Sequence, residues 1–70
     1  MLEIFKVRLK QLRKQSGKTQ KEMGEYLGIT TRGYQRYEVG DGYPDVPGLV
    51  ALADYFGVSV DYLLGRTDVK

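Results

Sequence analysis

Seventy residues with no cysteine and no histidine make one domain, 1–70, without disulfide staples, thiolate metal ligands or the commonest catalytic base. No paired carboxylates stand at helical spacing for acid–base work, so the sequence speaks against an enzyme, and no metal or cofactor is expected. The net charge of +2 is unevenly placed: residues 1–36 hold nine Lys/Arg against three Glu, and residues 37–65 hold five acids and no Lys/Arg. A basic half suits a polyanion, with the acidic half turned away from it. No apolar run approaches the ~20 residues of a membrane helix. The start "MLEIFKVRLK" lacks the apolar stretch of a signal peptide, so a cytoplasmic location is expected.

Glycines separate segments whose apolar residues recur with helical periodicity. The first runs over about 3–15, with Leu2, Phe5, Leu9 and Leu12 as its stripe and Lys6, Lys10, Arg13 and Lys14 around it. Ser16-Gly17 supplies the stop. The second starts after Thr19, where "TQKE" reads as a capping box: Thr19 caps and Glu22 reaches back. Met23 and Leu27 face the core, and Gly28 occupies the position of a left-handed C-terminal residue. Gly24, inside this helix, lowers its stability by about 0.5–1 kcal/mol relative to alanine, which implies close packing there.

Thr30 is the expected cap of the third helix, with Ile29 and Tyr34 placed for a hydrophobic staple. Tyr34 and Tyr37 share one face; at 100° per residue, Thr31, Arg32, Gln35 and Arg36 fill the opposite arc. Gly40 ends the helix, and "GDGYPD" (40–45) is a loop by composition. Asp45 caps a fourth helix with Pro47 in its first turn and Leu49, Leu52, Ala53 and Phe56 as its stripe. Ser59 caps a short fifth, "VDYLL", with Val58 and Leu63 as a second staple. Gly65 stops it, and 66–70 reads as a frayed tail. With no strand signal, the fold class is all-α: five short helices around one core.

Two helices joined by the short turn "GIT" (28–30) have the form of a helix-turn-helix over about 19–38. In that arrangement the first helix braces the second, whose N-terminal residues meet base edges in the DNA major groove. The free face carries fitting chemistry. Arg32 offers two donors to guanine O6 and N7, Gln35 matches adenine N6 and N7, and Thr31 brings a hydroxyl and a methyl group.

The stretches "RLKQLRKQSGKTQKEMGEYLGI" (8–29), "YQRYEVG" (34–40), Pro44 before the fourth helix, and "LADYFGVSVDYLLG" (52–65) stand in a telling order. Together they resemble the lambda-repressor-like, Xre-type helix-turn-helix domains, the N-terminal DNA-binding modules of many phage and bacterial repressors, over about residues 4–66. The resemblance implies a sequence-specific regulator of transcription, a repressor, binding a palindromic double-stranded operator as a homodimer. Val58 and Tyr62 are the expected region of mutual contact. It places Gln20 on a phosphate and against the recognition helix, and Thr31, Arg32 and Gln35 on bases. Arg36 falls on a base or the backbone, and Thr30 joins this DNA-binding set at the helix entrance. It also pairs Arg13 with Glu38 as a structural link.

This chain departs from the family at Gly24, usually alanine, at Val39, often asparagine, and at Gly33. It also departs in Asp41 and Asp45, which stand in a loop that is frequently basic. The alternative reading is a protein-interaction module of antitoxin or adaptor type on the same fold. That use calls for an apolar patch rather than the polar, basic face of 31–36.

Overall fold

Side chains that the sequence places at the helix ends set the boundaries of every element after the first. The computed structural model describes residues 3–70 and contains α1 (Glu3–Gln15), α2 (Gln20–Leu27), α3 (Thr31–Val39), α4 (Val46–Phe56) and α5 (Val60–Leu63). Among the described residues there is no strand. The all-α, five-helix class read from periodicity is the observed one; Leu2 lies outside the described residues.

Thr19 completes a capping box with Glu22, its hydroxyl accepting from the Glu22 amide at 3.0 Å and its own amide donating to the Glu22 carboxylate at 2.9 Å. Thr30, Asp45 and Ser59 each accept from the amide three residues on, capping α3, α4 and α5. Asp45 therefore serves its own helix. Helices α2, α3 and α4 close on glycines in the left-handed conformation, Gly28, Gly40 and Gly57.

Helix α1 supplies the floor of the core. Phe5, Leu9 and Leu12 recur on one face and meet Met23 from α2, Tyr34 from α3, Leu52 and Ala53 from α4, and Leu63 from α5. Leu27, Ile29, Tyr37, Leu49 and Phe56 pack around this cluster. Helix α3 lies against both α2 and α1, while α5 lies against α1 and α4. Helix α3 is thus held from two sides. Gly24 explains the closeness of α2 to the turn that follows it. A Cβ there would stand 3.2 Å from the carbonyl oxygens of both Ile29 and Thr30, tight against backbone.

Residues 66–70 contain no helix; the Lys70 carbonyl accepts from the Ser59 amide at 2.9 Å, and Thr67 and Asp68 meet α1. The agent is Arg8, a residue that the sequence reading passed over. It is buried, donates to the carbonyl oxygens of Tyr62 and Thr67 at 2.6 Å each, and pairs with Asp68 at 2.6 Å. Its guanidinium also sits 4.0 Å from the centre of the Tyr62 ring. Tyr62 is therefore partly covered from within, and Val58 is half-buried against the core, which reduces what either offers to a second copy. The two partners of this clasp differ in burial, so they should differ in effect. Arg8→Met leaves the Thr67 carbonyl without its donor and the Tyr62 carbonyl with the Gly65 amide alone, and is expected to lower stability by about 1–2 kcal/mol. Asp68 is 98% exposed, and Asp68→Ala should change stability by less than about 0.5 kcal/mol. Urea denaturation of both variants gives the comparison.

Candidate nucleic-acid interface

The turn from α2 to α3 is a tight reversal. Gly28 takes φ 71°, and the Ile29 amide closes back on the Gly24 carbonyl at 2.9 Å. This geometry directs the first turn of α3 outward. Tyr34 is fully buried on the inner face and meets the Tyr37 ring edge-on at 6.0 Å. On the opposite arc Thr31 is half-buried, and Arg32, Gln35 and Arg36 are exposed. Gln20, half-buried at the start of α2, stands beside them.

These side chains differ in what already holds them. Arg32 makes no hydrogen bond or ion pair among the described residues, so its whole guanidinium faces outward. Arg36 leans on the following loop, donating to the Asp41 carbonyl at 3.2 Å with the Asp41 carboxylate 3.8 Å away. The acidic loop is thus partly neutralised by the helix it follows. Thr30 uses its hydroxyl oxygen as the cap of α3.

Arg13 and Glu38, paired in the sequence reading, stand together beneath this face. Arg13 Nε donates to Glu38 Oε2 at 2.6 Å and Arg13 Nη2 donates to Oε1 at 3.0 Å. Arg13 also donates to the Lys18 carbonyl at 2.9 Å, tying the first turn between helices into the same knot. The Glu38 side chain is 2% exposed. A carboxylate so deeply placed needs several donors to remain charged. Two more arrive: Tyr34 Oη donates to Oε2 at 2.6 Å, and Gln20 Nε2 donates to Oε1 at 3.2 Å. Gln20 Oε1 in turn accepts from Gln35 Nε2 at 3.0 Å.

The titration behaviour follows from this knot. Burial by itself would raise the Glu38 pKa, but the hydrogen bonds from Arg13, Tyr34 and Gln20 outweigh it and hold the carboxyl below its ordinary value. Arg13 is pushed upward by its bond to Glu38. The Tyr34 hydroxyl is raised far above the usual phenol range, first by burial and then by Glu38, so it stays a donor.

The structure therefore brings Gln20, Gln35, Glu38 and Arg13 into one hydrogen-bonded chain, with Thr31, Arg32 and Arg36 beside it. Sequence reasoning found the ion pair and the exposed face separately and missed their connection. From the sequence alone Tyr34 is only a core residue. Its separation of four from Glu38 on one helix was the available signal for the bond between them.

A helix pair with this turn, a buried bracing knot and a polar outer face on the second helix defines the helix-turn-helix class of DNA-binding domain. The Helix-turn-helix family profile matches residues 9–63, and the chain belongs to this family, in its lambda-repressor-like, Xre-type branch. It is 44% identical over 67 residues to YonR, a prophage-derived HTH-type transcriptional regulator of Bacillus subtilis, covering 96% of this chain and 62% of that protein. It is 43% identical over 62 residues to RstR, the cryptic phage CTXphi transcriptional repressor of Vibrio cholerae, covering 89% of this chain and 55% of that protein. The chain thus spans somewhat over half the length of these relatives. Its fold is similar to that of the P22 c2 repressor in complex with a synthetic operator. The TM-score is 0.83 at 25% identity, over 91% of this chain and 97% of that one.

Proposed function

We propose that this chain is the DNA-reading part of a transcriptional repressor. It lays α3 into the major groove of a palindromic operator as a homodimer and acts by occluding a promoter in the cytoplasm, on the nucleoid. The observation that carries this reading is the two-sided character of α3. Its inner face is fixed by Tyr34 and by Glu38 on Arg13, and its outer face presents an unpartnered Arg32 between Thr31 and Gln35. A helix held this firmly keeps its donors in place before DNA arrives. That limits the side-chain ordering needed on binding.

In this reading Arg32 takes a guanine, and Thr31 and Gln35 take neighbouring base edges. Gln20, in the first turn of α2 beside the amides that the Thr19–Glu22 box does not engage, takes a phosphate. Thr30 and Arg36 border the same groove. The similarity to phage-associated regulators, one of them a named repressor, supports the assignment to repression. The operator-bound P22 c2 repressor supports DNA as the partner.

Selection of the protein against randomised duplex DNA tests this, followed by titration at several salt concentrations. A single domain makes few phosphate contacts, so two copies on half-sites about 10 bp apart should bind much more tightly than one. We expect two protein chains per selected duplex. We also expect log K to fall linearly with log salt, by about 0.9 per phosphate neutralised. Saturation at one chain per duplex would count against the dimer, and a flat salt response would count against DNA as the partner.

A further inference from the structure

Glu38 receives four donors: Arg13 Nε and Tyr34 Oη on Oε2, Arg13 Nη2 and Gln20 Nε2 on Oε1. An ionised carboxylate is acceptor-only and offers about four lone-pair sites, so Glu38 is fully occupied and faces donors alone. This fixes the orientation of the Gln20 amide. Its NH2 must turn to Glu38, which leaves Oε1 toward α3. Gln35 must then meet that oxygen with its own NH2, as it does at 3.0 Å. The polarity of a buried carboxylate is passed through one amide to a second, exposed one. Gln35 emerges with Oε1 and a single N–H uncommitted.

We infer that Gln35 is a specificity-determining residue whose hydrogen-bonding polarity is set by Glu38 through Gln20, and that it selects adenine over guanine. The inference rests on the reading above, in which α3 occupies the major groove. Adenine presents there one donor, N6–H, and one acceptor, N7, which match the acceptor and donor left on Gln35. Guanine presents two acceptors, O6 and N7. An unrestrained glutamine can turn both N–H groups toward them. Gln35, with one N–H committed to Gln20, cannot, and its Oε1 would stand against a guanine acceptor. Gln20 has a second consequence of the same polarity: its remaining N–H is a donor, the sign that a phosphate needs.

Two measurements test the relay, one of them without DNA. In side-chain amide NMR of the free protein, the Gln35 NH2 protons should be shifted and slowed in exchange relative to a solvated glutamine. Gln20→Leu should return them to solvated values while the fold is retained by circular dichroism. Solvated behaviour of Gln35 in the parent protein, or no change in Gln20→Leu, overturns the relay. The second measurement uses the duplex selected above. Gln35→Ala locates the base pair that Gln35 reads, as the position where single-base variants cease to matter. There the parent protein should prefer adenine to guanine by roughly tenfold or more, and Gln20→Leu should reduce the ratio to about threefold or less while lowering affinity generally. A guanine preference in the parent, or an undiminished adenine preference in Gln20→Leu, overturns the inference. If no duplex sequence is selected at all, the DNA reading has failed and the adenine choice falls with it. The NMR comparison then still decides whether the relay exists.

Discussion

Glu38→Ala is expected to lower folding stability by about 3–5 kcal/mol, because it leaves a guanidinium, a phenol and an amide without the acceptor on which they converge. The Arg13 side chain is 11% exposed, so water reaches it poorly. Tyr34 is fully buried, and its hydroxyl has Glu38 as its hydrogen-bond partner. A domain of this size has limited stability to lose, since native proteins are held by only about 5–15 kcal/mol in all. The loss should therefore be visible as a large fall in the urea midpoint. Glu38→Gln separates charge from shape. It preserves the side chain's volume but presents an NH2 to donors, so it too should destabilise, by more than a surface pair's ~0–1 kcal/mol. A change below about 0.5 kcal/mol in Glu38→Gln would reduce Arg13–Glu38 to a surface-grade pair.

The same group gives the pH dependence a definite sign. The Glu38 pKa is lower in the folded chain than in the unfolded one. The folded state therefore holds fewer protons in the interval between the two values. Its contribution is fully present above the unfolded carboxylate value of about 4.3 and is lost as pH falls through the lower, folded value. Glu22 is also shifted downward, by its capping-box bonds from Thr19, and titrates in the same acid window. Stability curves of the parent protein and Glu38→Gln, measured between pH 7 and pH 3, should converge as pH falls. Parallel curves would mean that Glu38 does not contribute through its charge.

Much of this architecture was legible because it is written locally. Thr19 with Glu22, Thr30, Asp45 and Ser59 are caps that act across three residues, and the apolar spacing of Phe5, Leu9 and Leu12 is a property of one helix. Contacts between distant segments were legible only where the family resemblance supplied them, as for Arg13 and Glu38. Arg8 shows the limit. On a helix rich in Lys and Arg it looks like another solvated cation, and nothing near it in sequence indicates Thr67 or Asp68. Its burial follows from how α5 returns across α1, which is a tertiary fact. Gln20 and Gln35 were each marked for DNA, yet their mutual bond depends on the angle between α2 and α3. Asp41, an acid in a loop that is frequently basic in the family, likewise has a partner that its place in the sequence does not indicate: it stands against Arg36.

Arg32→Ala and Gln20→Ala are expected to fail in different ways on DNA. Arg32 stands exposed in the first turn of α3, and its guanidinium is not engaged by any described residue. A planar fork of donors in that position suits guanine O6 and N7. Its removal should weaken binding to the selected operator by about 1–3 kcal/mol and relax the preference at one base pair. Variants already changed at that base pair should lose little more. Gln20 opens α2, where free backbone amides and the helix dipole favour a phosphate oxygen. Its removal should weaken the operator and its single-base variants by a similar factor at the position read by Arg32, because a phosphate contact carries no base information. It should also reduce the salt dependence less than the loss of a charged residue would, since Gln20 neutralises no phosphate. The comparison requires the parent protein, Arg32→Ala and Gln20→Ala on the operator and on every single-base variant, at one salt concentration. If Arg32→Ala weakens all variants equally, Arg32 is a backbone contact and base reading passes to Thr31 and Gln35. If Gln20→Ala erases the preference at the Arg32 position, Gln20 acts on that base by steering α3 rather than by holding a phosphate.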